Sequence, residues 1–352
     1  MTSTIRVPQA ALAQFACDLL IAAGAGTGEA KIVVDHLIEA DRLGLPSHGV
    51  LRVPQYIGEI ESGEIDPRAT PHVARSAPGR AAVDGRRGFG QVVGRAMADE
   101  AVRLAASAGV GFVTGRHMGH TGRIGAYAER IAGQGCVGLL VCSGPRSGHR
   151  VAPFGGREGR LATNPIAFAC PRHDAPPLAA DFSTSVAPEG VIRSLLQRGL
   201  RAPAGALRDA EGRPTDDPAA LYTQPPGVLQ PLGAAVGYRG TALAILVEIL
   251  AALLAGDETE DLARLGSNLA MLAIATDGEY SARADRMAAY LRSAPPLDPA
   301  APVLLPGERE RQMAARAGDG SIAVDRPTWE AMVAAAGSRI AVPVLAAGEA
   351  QS

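Results

Sequence analysis

The stretch Asp41-Arg42-Leu43-Gly44-Leu45-Pro46-Ser47-His48-Gly49-Val50-Leu51-Arg52-Val53-Pro54-Gln55-Tyr56 decides how this 352-residue chain is read. It starts where an amphipathic helix ends. From about Glu29 onward, Ile32, Val33, His36, Leu37 and Ala40 fall on one stripe at helical spacing. Gly44 and Pro46 are poor helix-interior residues, so the spacing predicts a loop there. Ser47-His48-Gly49 then opens a shorter helix through Arg52 and Tyr56. A histidine between a hydroxyl and a glycine at such a junction is accessible and orientable. Its ordinary pKa of about 6.5 suits proton exchange with a carbonyl or an imine. The planar guanidinium of Arg52 matches a substrate carboxylate. Tyr56, four residues on, shares its helical face. Residue types alone leave an equal alternative: a capping serine, a surface arginine and a half-buried tyrosine.

Upstream, Val7-Pro8-Gln9-Ala10-Ala11-Leu12 opens a first helix that Gly24-Ala25-Gly26 closes. Downstream, Val73 and Ala81-Ala82-Val83 read as short strands, and a helix runs from the Gly88–Gly94 cluster to about Ala106. Strands follow at Gly109–Val113, Val137–Val141, Ile166–Cys170 and Ala270–Ala275, with one more entering Asp181. Residues 200–233 form an excursion punctuated by proline and glycine, and an apolar helix spans Leu243–Leu254. This mixture predicts an α/β or α+β fold without regular βαβ alternation. Gly88-x-Gly90-x-x-x-Gly94 misses the G-x-G-x-x-G spacing, so it reads as a helix-start turn and not as a Rossmann fingerprint.

Two further constellations carry chemistry. In His117-Met118-Gly119-His120-Thr121-Gly122 the histidines stand three apart, but no Cys/His/Glu cluster completes a metal shell. The turn instead offers backbone N–H groups to an anion, with His120 as a second acid or base. Asp181-Phe182-Ser183-Thr184-Ser185 ends a strand, where a carboxylate can orient a histidine or cap a helix. Ser47, His48 and Asp181 have the composition of a hydrolytic triad. Ser47 lacks the G-x-S-x-G elbow, however, and sits directly before its own histidine.

Composition narrows the function classes. Net charge is −2 and no dense basic run exists, which gives nucleic-acid binding no electrostatic support. Lys31 is the only lysine beside many arginines, a compositional bias. Cys17, Cys136, Cys142 and Cys170 lack CxxC spacing and read as buried small hydrophobes. The N-terminus shows no charged region followed by an apolar one, and the apolar run near Ala242–Gly256 is short for a bilayer and carries Glu248. The expectation is a cytoplasmic protein with no membrane partner.

With these motifs in hand, the chain resembles the malate/L-lactate dehydrogenase family, which also holds sulfolactate and ureidoglycolate dehydrogenases and piperideine-2-carboxylate reductases. It is distinct from the Rossmann-type lactate and malate dehydrogenases. The resemblance rests on 41–56 and 117–122, then on Ala152-Pro153-Phe154-Gly155-Gly156, Thr163-Asn164-Pro165 and Asp181–Ser185. It continues through Pro214–Pro218, Gly237-Tyr238-Arg239-Gly240 and Pro306-Gly307-Glu308-Arg309-Glu310.

The resemblance implies a largely antiparallel NAD(P)-binding sheet domain, about 71–299, and a mostly helical substrate-side domain from 1–70 and 300–352. It also implies a homodimer with a shared active site and a small 2-oxo acid, 2-hydroxy acid or cyclic imino acid as substrate. His48, supported by Ser47 and Asp181, would carry the proton, with His120 as the rival. Arg52 and Tyr56 would bind substrate. His117, Gly119, His120, Thr121, Gly122, Thr163, Asn164, Asp181, Ser183, Thr184 and Arg239 would line NAD or NADP. Departures stand out too: Val191 replaces a lysine, Arg239 another, Ala162 a glycine, and the loop Gly144–Arg150 is longer and more basic. A diverged member with a non-redox or ligand-binding role is the remaining alternative.

Overall fold

A computed structural model describes residues 4–256, 266–316, 320–337 and 340–343. The chain opens with strand β1 (Thr4–Pro8), then α1 (Gln9–Ala22), α2 (Thr27–Arg42) and α3 (Val53–Glu61). Two 3₁₀ turns, Pro46–His48 and Val50–Arg52, join α2 to α3. Next come the hairpin β2 (His72–Ala77) and β3 (Arg80–Gly88), then α4 (Gly90–Ala108), β4 (Val110–Met118), α5 (Gly125–Ala132) and β5 (Cys136–Ser143). β6 (Ile166–Cys170) and β7 (Leu178–Phe182) follow, then α6 (Glu189–Gln197) and three two-residue strands, β8 (Leu207–Arg208), β9 (Pro214–Thr215) and β10 (Val228–Leu229). α7 (Tyr238–Val247) runs on through a π-helical turn, Glu248–Ala252, and a 3₁₀ turn, Leu253–Ala255. The last elements are β11 (Ser267–Ala275), α8 (Tyr280–Arg292), α9 (Glu308–Arg316), β12 (Ser321–Asp325) and α10 (Arg326–Ala336).

The main sheet has seven strands in the order β2-β3-β4-β11-β5-β6-β7. Every pairing is antiparallel except β3–β4, which α4 connects as one βαβ crossover. Successive residues feed opposite faces, as the period of two demands. Val113, Leu140 and Met271 pack with Met97, Ala101, Leu104 and Ile131 of α4 and α5. Their neighbours Phe112, Val141 and Ala270 pack with Val247 and Ala251 of the long helix. The sheet is therefore covered on both faces.

A second core gathers α1, α2, α3 and α10 around Leu12, Phe15, Leu37, Val53, Tyr56, Trp329 and Met332. Val7-Pro8, read above as a helix start, belongs instead to β1, which pairs with β12 and ties the two chain ends together. Pro8 keeps an extended ψ of 129° and α1 begins only after it. Phe89, at the turn between β3 and α4, inserts into this helical core beside Tyr56. The segment near 305 packs on the sheet side, where Leu305 meets Leu178 and Ala288. Residues 344–352 of the expected C-terminal helical region lie outside the described residues. The helix Tyr238–Ala255 is longer than the run read from sequence, and by length and composition alone it passes for a membrane span. Its Ala244, Val247, Ala251 and Ala252 are buried within the protein.

Two glycines near the α4–β4 turn do different work. Gly109 takes φ +78° to end α4, donating its N–H to Ala105 O, and the space beside it is open. Gly111 has ordinary backbone angles, but a Cβ there would overlap the carbonyl of Ala101 on α4. Backbone cannot rotate away as a side chain can. Gly111→Ala is therefore expected to cost about 2–3 kcal/mol and Gly109→Ala about 1 kcal/mol. Urea unfolding midpoints test this ranking, and the reverse order would refute the close approach of α4 to β4.

Candidate active site

The loop after α2 is held by Asp41, whose Oδ2 accepts the Val50 N–H at 2.8 Å. The same carboxylate packs on Gly49 Cα, leaving no room for a side chain there. This clamp sets the two 3₁₀ turns and so the direction of His48. Ser47 Oγ lies 2.9 Å from His48 Nδ1. Arg52 Nε donates to Ser47 O at 2.8 Å and Nη1 to Gln55 Oε1 at 2.6 Å. No carboxylate pairs with Arg52 among the described residues.

From the sheet side, the turn after β4 brings His120 against His48, with ring centroids 5.7 Å apart and stacked. The two histidines and Arg52 open on one cavity of about 610 Å³. Thr121, Gly122, Thr163 and Asn164 line it as well, as do Pro145, Ser147, Gly148 and Arg150 of the long loop. Ala162 fits because Gly144 faces it: a Cβ on Gly144 would stand 3.0 Å from that of Ala162.

Asn164 adopts φ +38° in a fully buried position. Thr184 pins it, its Oγ1 donating to Asn164 O at 3.0 Å and its N–H bonding to Thr163 O at 2.9 Å. The Asn164 amide donates to Ala244 O at 3.1 Å and Glu248 Oε1 at 2.9 Å. A helix carbonyl engaged by a side chain admits a wider turn, and the π-helical turn of the long helix begins at Glu248.

The surroundings of three histidines, His36 buried and His48 and His120 half-buried on the cavity, favour the neutral ring. Burial first, then Arg52 and Arg123, lowers the His48 pKa to about 4. Burial followed by Arg52 and His48 depresses His120 well below its usual range. His36, on the apolar stripe of α2, is lowered to about 3, mainly by burial and then by Arg123. Its Nε2 accepts the Arg123 N–H at 2.9 Å, which a protonated ring could not do.

Several expected site residues lie elsewhere. Asp181 does not reach His48; its Oδ2 accepts the N–H of Gly125 at 2.7 Å, at the start of α5. That is the capping alternative, realised on a helix distant in sequence. Tyr56 is fully buried and lines no part of the cavity, because α3 turns it into the helical core while Arg52 stays on the preceding 3₁₀ turn. Its hydroxyl instead lies 2.8 Å from His120 Nδ1. His117 and Gly119 line a neighbouring cavity of about 420 Å³, with His117 Nδ1 3.2 Å from Asp84. Ser183 bonds to Ser185 O, and Arg239 is exposed beside Tyr238.

Sequence reading missed Gln91, a buried amide that donates to the Tyr56 hydroxyl at 2.7 Å. A polar residue on the buried face of α4 was the available signal. It also missed the group on the cavity wall where Arg193 and Tyr222 both bond to Glu189. Val191, where a lysine was expected, lines a separate groove with Leu45, Pro46 and Leu51. That groove adjoins the cavity, sharing Arg52, Gly190 and Arg193 with it.

The neutral histidines make folding depend on pH. Their folded pKa values lie below the unfolded 6.5, so the unfolded chain binds more protons on acidification. The histidines' contribution is whole above about pH 6.5 and falls toward pH 4, by up to about 1.4 kcal/mol per pH unit for each, while Asp41 and Asp181, raised by burial to about 7 and about 6, oppose it over the same window. His36→Gln, which keeps an acceptor for Arg123 N–H, is expected to flatten this slope. Urea midpoints between pH 7 and 4.5 test it; an unchanged slope would refute the buried neutral state of His36.

Comparison with known proteins agrees with this geometry. The malate/L-lactate dehydrogenase family matches residues 7–333. The L-lactate dehydrogenase of Cupriavidus necator is 34% identical over 342 residues, covering 94% of this chain and 97% of that one. The Δ1-pyrroline-2-carboxylate/Δ1-piperideine-2-carboxylate reductase of Pseudomonas putida is 35% identical over 256 residues, covering 72% of this chain and 73% of that one. The crystal structure of malate dehydrogenase from Pyrococcus horikoshii superposes with a TM-score of 0.85 at 29% identity, covering 97% of each chain. With a sheet that is largely antiparallel and a match across nearly its whole length, the chain belongs to the malate/L-lactate dehydrogenase family of dehydrogenases and reductases.

Proposed function

We propose that this protein is a nicotinamide-dependent oxidoreductase that interconverts a small 2-hydroxy acid and its 2-oxo acid in the cavity between His48, His120 and Arg52. The observation that carries the reading is the Arg52 guanidinium, with no carboxylate partner among the described residues, opening on the same cavity as two stacked neutral histidines. A carboxylate on Arg52 fixes the substrate end, and the histidines then face its C2 oxygen.

The cavity suits the nicotinamide end of NAD or NADP. Backbone of Gly122, Gly144 and Gly148 lets a flat ring approach. Asn164 Oδ1 on the wall is buried without a donor among the described residues, and a carboxamide N–H is a suitable partner. A nicotinamide bound there supplies or accepts the hydride. Ser47 Oγ holds the His48 ring, and a neutral His48 is ready to take the hydroxyl proton during oxidation.

The low pKa of His48 also favours a second reading, reduction of a cyclic imino acid. An imine arrives already protonated, so it needs no acid from a histidine that is neutral at pH 7. The Pseudomonas putida relative is named for such substrates.

Fluorescence titration with NADH and NADPH tests the redox reading, and no binding of either at about millimolar concentration would sink it. A panel of 2-oxo acids against cyclic imino acids separates the two substrates. For hydroxy-acid oxidation, kcat/KM is expected to stay level down to about pH 5 and to fall only near pH 4. A break near pH 6.5 would contradict the neutral His48 described above. His48→Ala is expected to abolish turnover with cofactor affinity nearly intact.

We further propose a homodimer through the long helix. Its outward side carries Ile245, Leu246, Ile249, Leu253 and Leu254, each between 43% and 55% exposed. A continuous apolar stripe of this kind is uncommon on a monomer. Sedimentation of the wild type is expected to give a dimer, and Ile249→Arg a monomer; a monomeric wild type would end the idea.

A further inference from the structure

Two side chains stand in a hydrogen-bonded chain behind His120. Gln91, 1% exposed on the first turn of α4, donates from Nε2 to the Tyr56 hydroxyl at 2.7 Å. Tyr56 is fully buried, and its hydroxyl lies 2.8 Å from His120 Nδ1. A phenol carries one proton and can donate once. Gln91 occupies a lone pair of the oxygen, so that proton points to His120 Nδ1.

A neutral imidazole that accepts at Nδ1 carries its hydrogen on Nε2. His120 opens on the cavity with Arg52 and stacks on His48, and its Nε2 has no protein partner among the described residues. Burial holds the Tyr56 phenol above its usual range and His120 below its own, so neither exchanges charge with the other.

We propose that Gln91 and Tyr56 are positioning residues that lock His120 as the Nε2–H tautomer, which donates a hydrogen bond to the substrate's C2 oxygen while His48 moves the proton. This rests on the redox reading above. In the oxidative direction the hydroxyl O–H bond breaks and its proton passes to Nε2 of His48. The C2–H bond breaks, its electron pair leaves as hydride to the oxidised nicotinamide, and C2=O forms. His120 keeps its own proton throughout. His48 must then hold its hydrogen on Nδ1, donated to Ser47 Oγ, which the 2.9 Å contact allows.

The test is ¹⁵N NMR of histidine-labelled protein at pH 7 without cofactor, with His120 assigned from its absence in His120→Gln. The expected spectrum has an unprotonated Nδ1 and a protonated Nε2. Tyr56→Phe is expected to abolish that preference and to lower kcat about tenfold or more, with NADH affinity changed less than about twofold. Gln91→Leu, which leaves the phenol in place, is expected to populate both tautomers and to lower kcat by a smaller factor. A protonated Nδ1 in the wild type would overturn the proposal, as would a Tyr56→Phe enzyme with unchanged tautomer and kcat. An unchanged spectrum in Gln91→Leu would remove Gln91 from the assignment. Because the spectrum is read without ligand, loss of the redox reading through failed cofactor binding would show separately.

Discussion

The hydrogen bond between Tyr56 and His120 is the joint on which the site depends. Tyr56 belongs to the helical core and His120 to the turn after a sheet strand, so the 2.8 Å contact joins the two sides, as the bond from Arg123 N–H to His36 does farther along. The Tyr56 hydroxyl is screened from bulk water, and removing its partner would leave a buried polar atom at a cost of about 1–3 kcal/mol. Phe89 reinforces the joint from below, since it leaves the sheet side to pack beside Tyr56. The cavity walls come from both cores.

Electrostatics at the seam run in one direction. Arg52 and Arg123 bias the neighbouring imidazoles toward the neutral form, and burial does more of the same. Arg123 is answered by Glu129 and, at 3.5 Å, by Glu39. Arg52 has no direct ion pair among the described residues; Glu189 and Glu59 act on it from farther away. A cavity that holds an unbalanced cation in low dielectric attracts an anion and orients it by the geometry of the guanidinium.

Much of the fold was legible in the sequence because periodicity follows backbone geometry. The stripe on α2, the helix after Gly88 and the strand near Ala270 each came from spacing alone, and each is present. The start of α1 was misread because pairing of β1 with a strand more than three hundred residues away leaves no local trace. At the site, Ser47, His48, Arg52 and His120 converge as their motifs suggested. Asp181 and Tyr56 did not take the roles expected, for a shared reason. A carboxylate or a hydroxyl has several possible partners, and only tertiary packing selects Gly125 for the one and His120 for the other. Gln91 stood out only as a polar residue on a buried face, because an amide there shows no chemistry until its neighbour is known.

The π-helical turn at Glu248–Ala252 has a consequence for how this protein can change over time. It contains one more residue per turn than ordinary α winding requires, and Asn164 braces its start from the cavity wall. Deleting a single residue there would restore regular α winding and leave the residues beyond close to their present phase, because the wider turn absorbs the extra residue. Leu253 and Leu254 would then stay on the outer side with Ile245 and Ile249. A one-residue deletion could therefore remove the wide turn that Asn164 braces without turning the exposed apolar stripe.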